Sequence, residues 1–569
     1  MAGQPRVNDS LDVDEKYSRL VRDLRTAVGR RHVITDPSAA RAYTTGYRIG
    51  TGTVLAVVRP ATLVELWRVA QLCVHAGTVL IVQAANTGLT GGSTPCGGYD
   101  RPVVLINTLR IDAVLPIADG TEALCLAGAT LTTLAAQLAP YRRVPHSVIG
   151  SSCLGASVIG GICNNSGGAL VSRGPAFTRC ALFGRVDENG CLVLVNNLGI
   201  DLGGDPETIL ATVDSGTIPA QPVAPPEPAG AGSAYKAHVR NVDAGTPARF
   251  NADSRCLFEA SGSAGKVIVF AVRVMSYPAP ERPRTFLLAT DDPHDLAQFR
   301  LAVLGTFRHL PVSAEYLHRD AATLAASHGN DVCQAVRLFG AARMPQLMAM
   351  KRHTDQLLRR FGAAPAERLL QLVGGIAPHP LPPSVRALTT RDHMLIVTSA
   401  DDGVAEVRDY FVRHPRKSLA VRECSAREAA ALQRLRFAAA GATVRLTAIE
   451  RSAGPLVAID CALPRNRTDW RLVLPSDLAD QVMLRADYGH FLCNVFHLDF
   501  ILKRRCNAQA FEANLVEHLH DQGIMCPAEH NFGHHYRAPD NVIEFYRSLD
   551  PTNVLNPGIG HTSRARNWL

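Results

Sequence analysis

None of the fourteen cysteines in this 569-residue chain belongs to a Cys-x-x-Cys pair. Cysteines scattered singly fit reduced cytosolic thiols better than a disulfide framework. No run approaches the ~18 consecutive apolar residues that a membrane-crossing helix needs. Met1 to Leu20 is polar and carries Asp9, Asp12, Asp14 and Glu15, so no secretory leader is expected. Strong charge of one sign is missing as well. A net charge of +8 admits an anionic surface or an acidic substrate and gives no ground for nucleic acid. Single cores stop growing at about 250–300 residues, so more than one domain is expected.

What the chain does have is glycine gathered into two loops. Residues 83–94, Gln-Ala-Ala-Asn-Thr-Gly-Leu-Thr-Gly-Gly-Ser-Thr, follow the apolar run Thr78 to Val82. Residues 150–168 form the second loop, from Gly150 through Gly155, Gly160 and Gly161 to Gly167 and Gly168. Neither contains lysine, which excludes a P-loop, and neither has the G-x-G-x-x-G dinucleotide fingerprint. Ser, Thr and Asn are interleaved with the glycines, so backbone N–H groups and short polar side chains can converge on anionic oxygens. Two such loops predict a nucleotide cofactor lying between two layers of backbone.

Residues 17–280 alternate helix-like and strand-like segments. A helix is expected over Leu63 to His75 and over Leu131 to Leu138, with strands at Val79 to Val82 and Val103 to Ile106. The runs 181–186 and 192–196 flank Asp187-Glu188-Asn189-Gly190, which predicts a hairpin. Residues 218–234, rich in Pro, Ala and Gly, read as a surface loop. After the Pro-rich 278–283 a second α+β domain is expected. Its segment 310–385 is basic and dotted with apolar residues, which suits either anionic lipid or an ordinary helix pair with a wet basic face.

Eight of the twenty histidines fall within residues 490–561. His490 and His497 lie seven apart and would face opposite sides of one straight strand, so a bend must intervene for both to reach one site. Downstream, Glu529 stands beside His530. Imidazoles with a carboxylate can ligate a divalent metal or act as a base with an orienting partner.

On residues 83–94, 145–168, 247–253, 437–442, 527–531 and 550–560, the chain resembles the bacterial quinone-dependent D-lactate dehydrogenases, which are FAD flavoproteins. The resemblance implies an α+β fold: a two-subdomain FAD-binding domain of the vanillyl-alcohol-oxidase/p-cresol-methylhydroxylase type, with an α+β cap. The first would span 1–280, with 525–569 returning to it. The cap would span 283–524, with a basic membrane-binding insertion at about 310–385 and 425–450. It further implies that Ala84, Ala85, Asn86, Thr87, Gly88, Gly92 and Ser93 hold the FAD pyrophosphate. Gly150, Ser157, Gly167 and Val269 would line the rest. No His or Cys occurs within residues 84–95, so the flavin is expected to be non-covalent.

The same resemblance makes His530 the base and Arg436 the carboxylate-binding cation; the relatives' second cation is replaced near Ala458, and Arg445 is expected to compensate. His490, His497 and Glu529 would be ligands of a divalent metal such as Zn. The partners implied are D-lactate, membrane quinone and an anionic lipid surface at the cytoplasmic face of the inner membrane, with no nucleic acid. D-2-hydroxyglutarate or glycolate is the alternative substrate.

Overall fold

The computed structural model describes residues 7–147, 155–217, 233–340, 343–344, 346–347, 350–351, 354 and 365–569. Gly150 and most of the 218–234 stretch lie outside these.

The first sheet has the order β1-β2-β4-β3: β1 (Val33–Ile34), β2 (Ala56–Val58), β3 (Val79–Gln83) and β4 (Val103–Asn107). Strands β2, β4 and β3 run parallel. Their sequences are nearly unbroken Val, Ile and Leu, as parallel strands covered on both faces require. Helix α1 (Leu63–His75) covers one face; Thr62 caps it by accepting from the Glu65 N–H.

The second sheet is antiparallel. It comprises β5 (Val114–Ile117) and β6 (Glu122–Leu126), then, past the short β7 (Arg143–Val144), β8 (Ala181–Val186), β9 (Leu192–Asn196) and β10 (Ile268–Met275). The order is β5-β6-β10-β8-β9, and β7 pairs instead with β11 (Tyr277–Pro278). The expected β8–β9 hairpin forms, with Asp187 accepting from the N–H groups of Asn189 and Cys191 and Gly190 at φ 77°. Helix α2 (Val158–Cys163) packs against this sheet.

The third sheet takes seven strands: β12 (Arg284–Thr290), β13 (Ser313–His318), β14 (His393–Ser399), β15 (Ala420–Cys424), β16 (Ala453–Ala462), β17 (Val482–His490) and β18 (Val495–Lys503). Their order is β15-β12-β14-β13-β17-β18-β16. One face carries α3 (Arg319–His328), and α4 (Asn330–Phe339) and α5 (Pro365–Ile376) follow beside it. Across that face lies α6 (Ala426–Ile449), opened by a capping box between Ser425 and Glu428.

Within the stretches 310–385 and 425–450, β13 is an interior strand, and α6 buries Leu432, Leu435, Ala439 and Ala442 against the sheet. A sequence of mixed charge and apolar residues reads alike whether its apolar face meets lipid or a sheet. Inside 310–385, α4 and α5 expose Leu338, Phe339, Leu369, Leu372, Val373 and Ile376. The bend between His490 and His497 is a full chain reversal: a short turn at Phe491–Cys493 and a left-handed Asn494 (φ 52°) join β17 to β18.

Candidate active site

The hairpin register decides which polar side chains share the α6-covered face. Tyr488 pairs with His497, and His497 in turn pairs with Asp460 on β16. One step along, His490 pairs with Glu315 on β13. Side chains two apart on a strand share a face, so these five groups form one polar field at the end of an otherwise apolar surface. α6 crosses above it and brings Arg436 to 3.0 Å from Glu315, with its guanidinium 4.7 Å from the Tyr488 ring centroid.

A chain of alternating charges runs through this field. His490 Nδ1 lies 2.7 Å from Glu315, and its Nε2 lies 3.3 Å from Glu529. Glu529 Oε1 is 2.5 Å from Arg249, which also donates to the Gly168 carbonyl. Burial alone would keep His490 neutral, but the two carboxylates outweigh it and raise its pKa to about 9. Burial likewise opposes ionisation of Glu529, and Arg249 with His490 overrides it, so its carboxyl stays well below the usual range. His497 has no ion-pair partner among the described residues; burial and the His490 cation push it down to about 3. Arg249, Arg436 and the His490 imidazolium are matched by the carboxylates of Glu315, Glu529 and Asp460, so the charges of the field answer one another.

His530 stands at the edge. Its Nδ1 is 3.1 Å from Asp460, whose other oxygen accepts from the N–H groups of Ala528 and Glu529. Burial disfavours its charged form, yet the Asp460 carboxylate prevails and raises its pKa. The loop bearing it lies against both glycine loops: a Cβ on Gly92 would sit 2.5 Å from Asn531, and one on Gly167 would collide with the Glu529 carboxylate. Glycine at these two positions is therefore what lets the 529–531 loop close on the cleft.

The first glycine loop is held from within and from the C-terminus. Asn86, at φ 53°, donates to the Thr45 carbonyl and accepts from Ser93, while Asn556 donates to the Gly92 carbonyl. A Cβ on Gly88 would meet nothing within 4 Å. A single cavity of about 1990 Å³ is lined by Ala84, Ala85, Asn86, Thr87, Gly88, Gly92 and Ser93. Ser157, Gly167 and Val269 line it too, and so do Arg436, His490, His497, Glu529 and His530. These sequence-derived candidates meet around one space; Gly150 lies outside the described residues.

Arg445 lines the same cavity. Its guanidinium is committed to Asp331 and Glu367 and to the His328 carbonyl, so it ties α6 to α4 and α5. A guanidinium answered by two carboxylates has little left for a substrate. Sequence reasoning missed Asp460, Glu315, Arg249 and Arg48. Asp460 had a signal, being a carboxylate inside the apolar run Leu456 to Ala462. Arg48 also lines the cavity, and its Nε has no hydrogen-bond partner among the described residues.

Comparison with known proteins agrees with this geometry. A family described as "FAD binding domain" matches residues 54–196, and one described as "D-lactate dehydrogenase, membrane binding" matches 285–568. The quinone-dependent D-lactate dehydrogenase of Haemophilus influenzae is 44% identical over 97% of this chain and 99% of its own. That of Escherichia coli is 43% identical over 96% and 97%. Among solved structures, p-cresol methylhydroxylase has a TM-score of 0.57 at 12% identity, covering 96% of this chain and 97% of its own. A 4-ethylphenol oxidase from Gulosibacter chungangensis also reaches 0.57, at 13% identity and the same coverage. The fold is thus that of the vanillyl-alcohol-oxidase/p-cresol-methylhydroxylase flavoproteins, and the chain belongs to the family of FAD-dependent, quinone-dependent D-lactate dehydrogenases.

Proposed function

We propose that this protein oxidises D-lactate to pyruvate as a respiratory enzyme and passes the electrons to membrane quinone. The observation that carries the reading is the placement of His530. It sits between two glycine loops with Nδ1 held beside buried Asp460, which leaves Nε2 for a substrate hydroxyl. In this reading residues 1–280 and 525–569 hold FAD non-covalently, and 283–524 form the cap. Ala84 to Gly88, Gly92 and Ser93 hold the pyrophosphate, with Gly150, Ser157, Gly167 and Val269 along the remainder. When bound, FAD supplies the acceptor for the hydride from the lactate Cα.

His530 takes the hydroxyl proton, and Asp460 steadies the imidazolium that results. Arg436 binds the carboxylate: its Nε is buried without an acceptor among the described residues, which a carboxylate oxygen would supply. His490, His497 and Glu529 also fit a divalent cation such as Zn. Their ligand atoms all lie within 4.8 Å of one another, and Glu315 occupies the place of the outer carboxylate that orients a metal-bound histidine. A cation there would polarise the substrate hydroxyl.

The purified flavoprotein is expected to bleach anaerobically with D-lactate and not with L-lactate, D-2-hydroxyglutarate or glycolate. Unchanged colour with D-lactate would overturn the assignment. If a metal takes part, chelation slows the same bleaching and added Zn restores it; an identical rate after chelation removes the metal from the mechanism.

No helix among the described residues is long and apolar enough to cross a membrane. Peripheral docking at the cytoplasmic face of the inner membrane is the reading supported by the net charge of +8 and the membrane-binding family match. Binding to anionic vesicles should therefore weaken as salt rises from low to physiological strength and above. Equal binding to neutral vesicles would exclude an anionic lipid surface as the partner.

A further inference from the structure

The cavity that holds the glycine loops does not end at Arg436. It continues along α6, where Phe437, Ala440, Gly441, Val444 and Thr447 line it. These positions are spaced three and four apart, so one face of the helix forms the wall of this arm. The opposite wall comes from α4 and α5, with Leu338, Phe339, Leu369 and Val373; the mutually ion-paired Arg445, Asp331 and Glu367 line the cavity as well. Those four side chains are 66%, 48%, 54% and 53% exposed, so the arm opens at an apolar mouth. Beside it on α5, Leu372 and Ile376 are 66% and 88% exposed and do not line the cavity. Contiguous exposed apolar side chains of this kind mark a lipid or ligand contact.

We propose that this arm is the quinone channel: an isoprenoid quinone enters from the membrane between α4, α5 and α6 and brings its ring to Arg436, at the threshold of the cofactor cleft. The inference rests on the function proposed above and adds the route of the acceptor. D-lactate is small and anionic and needs no apolar passage. A quinone with an isoprenoid tail needs one that joins lipid to the cleft without crossing water. The two electrons and two protons released when D-lactate becomes pyruvate pass to the quinone, which leaves as quinol. Because the arm and the lactate site meet at Arg436, the ring occupies the space that pyruvate vacates, and the two substrates take turns.

Gly441 gives a clean test. A Cβ there would meet nothing within 4 Å, so a larger side chain projects into the arm without disturbing the packing of α6. Gly441→Leu holoenzyme is expected to reduce a water-soluble dye with D-lactate within about twofold of wild type. In vesicles containing a long-chain isoprenoid quinone its turnover should fall tenfold or more, with vesicle binding unchanged. Wild-type quinone turnover would overturn the channel, and so would an equal loss with dye and quinone. Failure of wild-type D-lactate bleaching would instead remove the underlying function. Val373→Trp narrows the same arm from α5 and carries the same expectations should the Gly441 variant not fold.

Discussion

Replacing His530 with alanine is expected to lower the rate of D-lactate-driven flavin bleaching by ~10²–10⁴-fold, the range for loss of a positioned general base. FAD content should not change, because the cofactor contacts proposed for the glycine loops do not pass through the imidazole. The size of the effect depends on whether another histidine can substitute, and the geometry argues that none can. His490 has both ring nitrogens engaged by Glu315 and Glu529. His497 lies near, with its ring centroid 5.8 Å from that of His530, but no carboxylate among the described residues is ion-paired with it to hold a proton.

Asp460→Asn provides the companion measurement. It keeps an oxygen or amide near His530 Nδ1 but removes the charge that favours the imidazolium, so kcat should fall with little change in KM. His530→Ala bleaching at near wild-type rate would move the base elsewhere in the field. A loss for Asp460→Asn that is confined to KM would make Asp460 a shape element and not the partner of the base.

Much of this site is legible in the amino-acid sequence. The glycine loops announce themselves locally, since a loop dense in glycine, Ser, Thr and Asn needs no tertiary contact to be recognised. The β8–β9 hairpin was readable for the same reason, its turn chemistry lying in four consecutive residues. Arg249, Glu315 and Asp460 were not, because their roles come from pairing between distant strands. Glu315 meets His490 only through the β13–β17 register, and Asp460 meets His530 only because the 527–531 loop folds back over β16. Arg445 is the converse case. An arginine nine residues beyond Arg436, about two and a half helical turns along, reads in sequence as a second cation, and only the tertiary structure shows Asp331 and Glu367 paired with it. Charge counts in sequence do not reveal which charges already answer one another.

Arg249 carries the other large expectation. Its side chain is 1% exposed, and Glu529, which it neutralises, is 5% exposed. Removing one member of a buried ion pair leaves the other without compensation, at a cost of ~3–5 kcal/mol. Arg249→Met holoenzyme should therefore melt well below wild type at matched FAD concentration. The double variant Arg249→Met with Glu529→Met should recover much of the loss, since an apolar pair of similar volume carries no unpaired charge. It should not recover lactate oxidation, because the partner of His490 is gone.

The pH dependence separates this account from a simple packing defect. In the wild type the Glu529 pKa is depressed on folding, so its contribution is fully present above the ordinary carboxyl pKa and is lost as pH falls through the lowered value. Without Arg249 the folded-state pKa rises, and a proton on Glu529 relieves the unpaired charge. The gap between Arg249→Met and wild type should thus narrow as pH drops towards 4. A gap of the same size at pH 7 and pH 4.5 would mean that Arg249 acts through volume and its bond to Gly168, and that Glu529 keeps its charge through His490 alone.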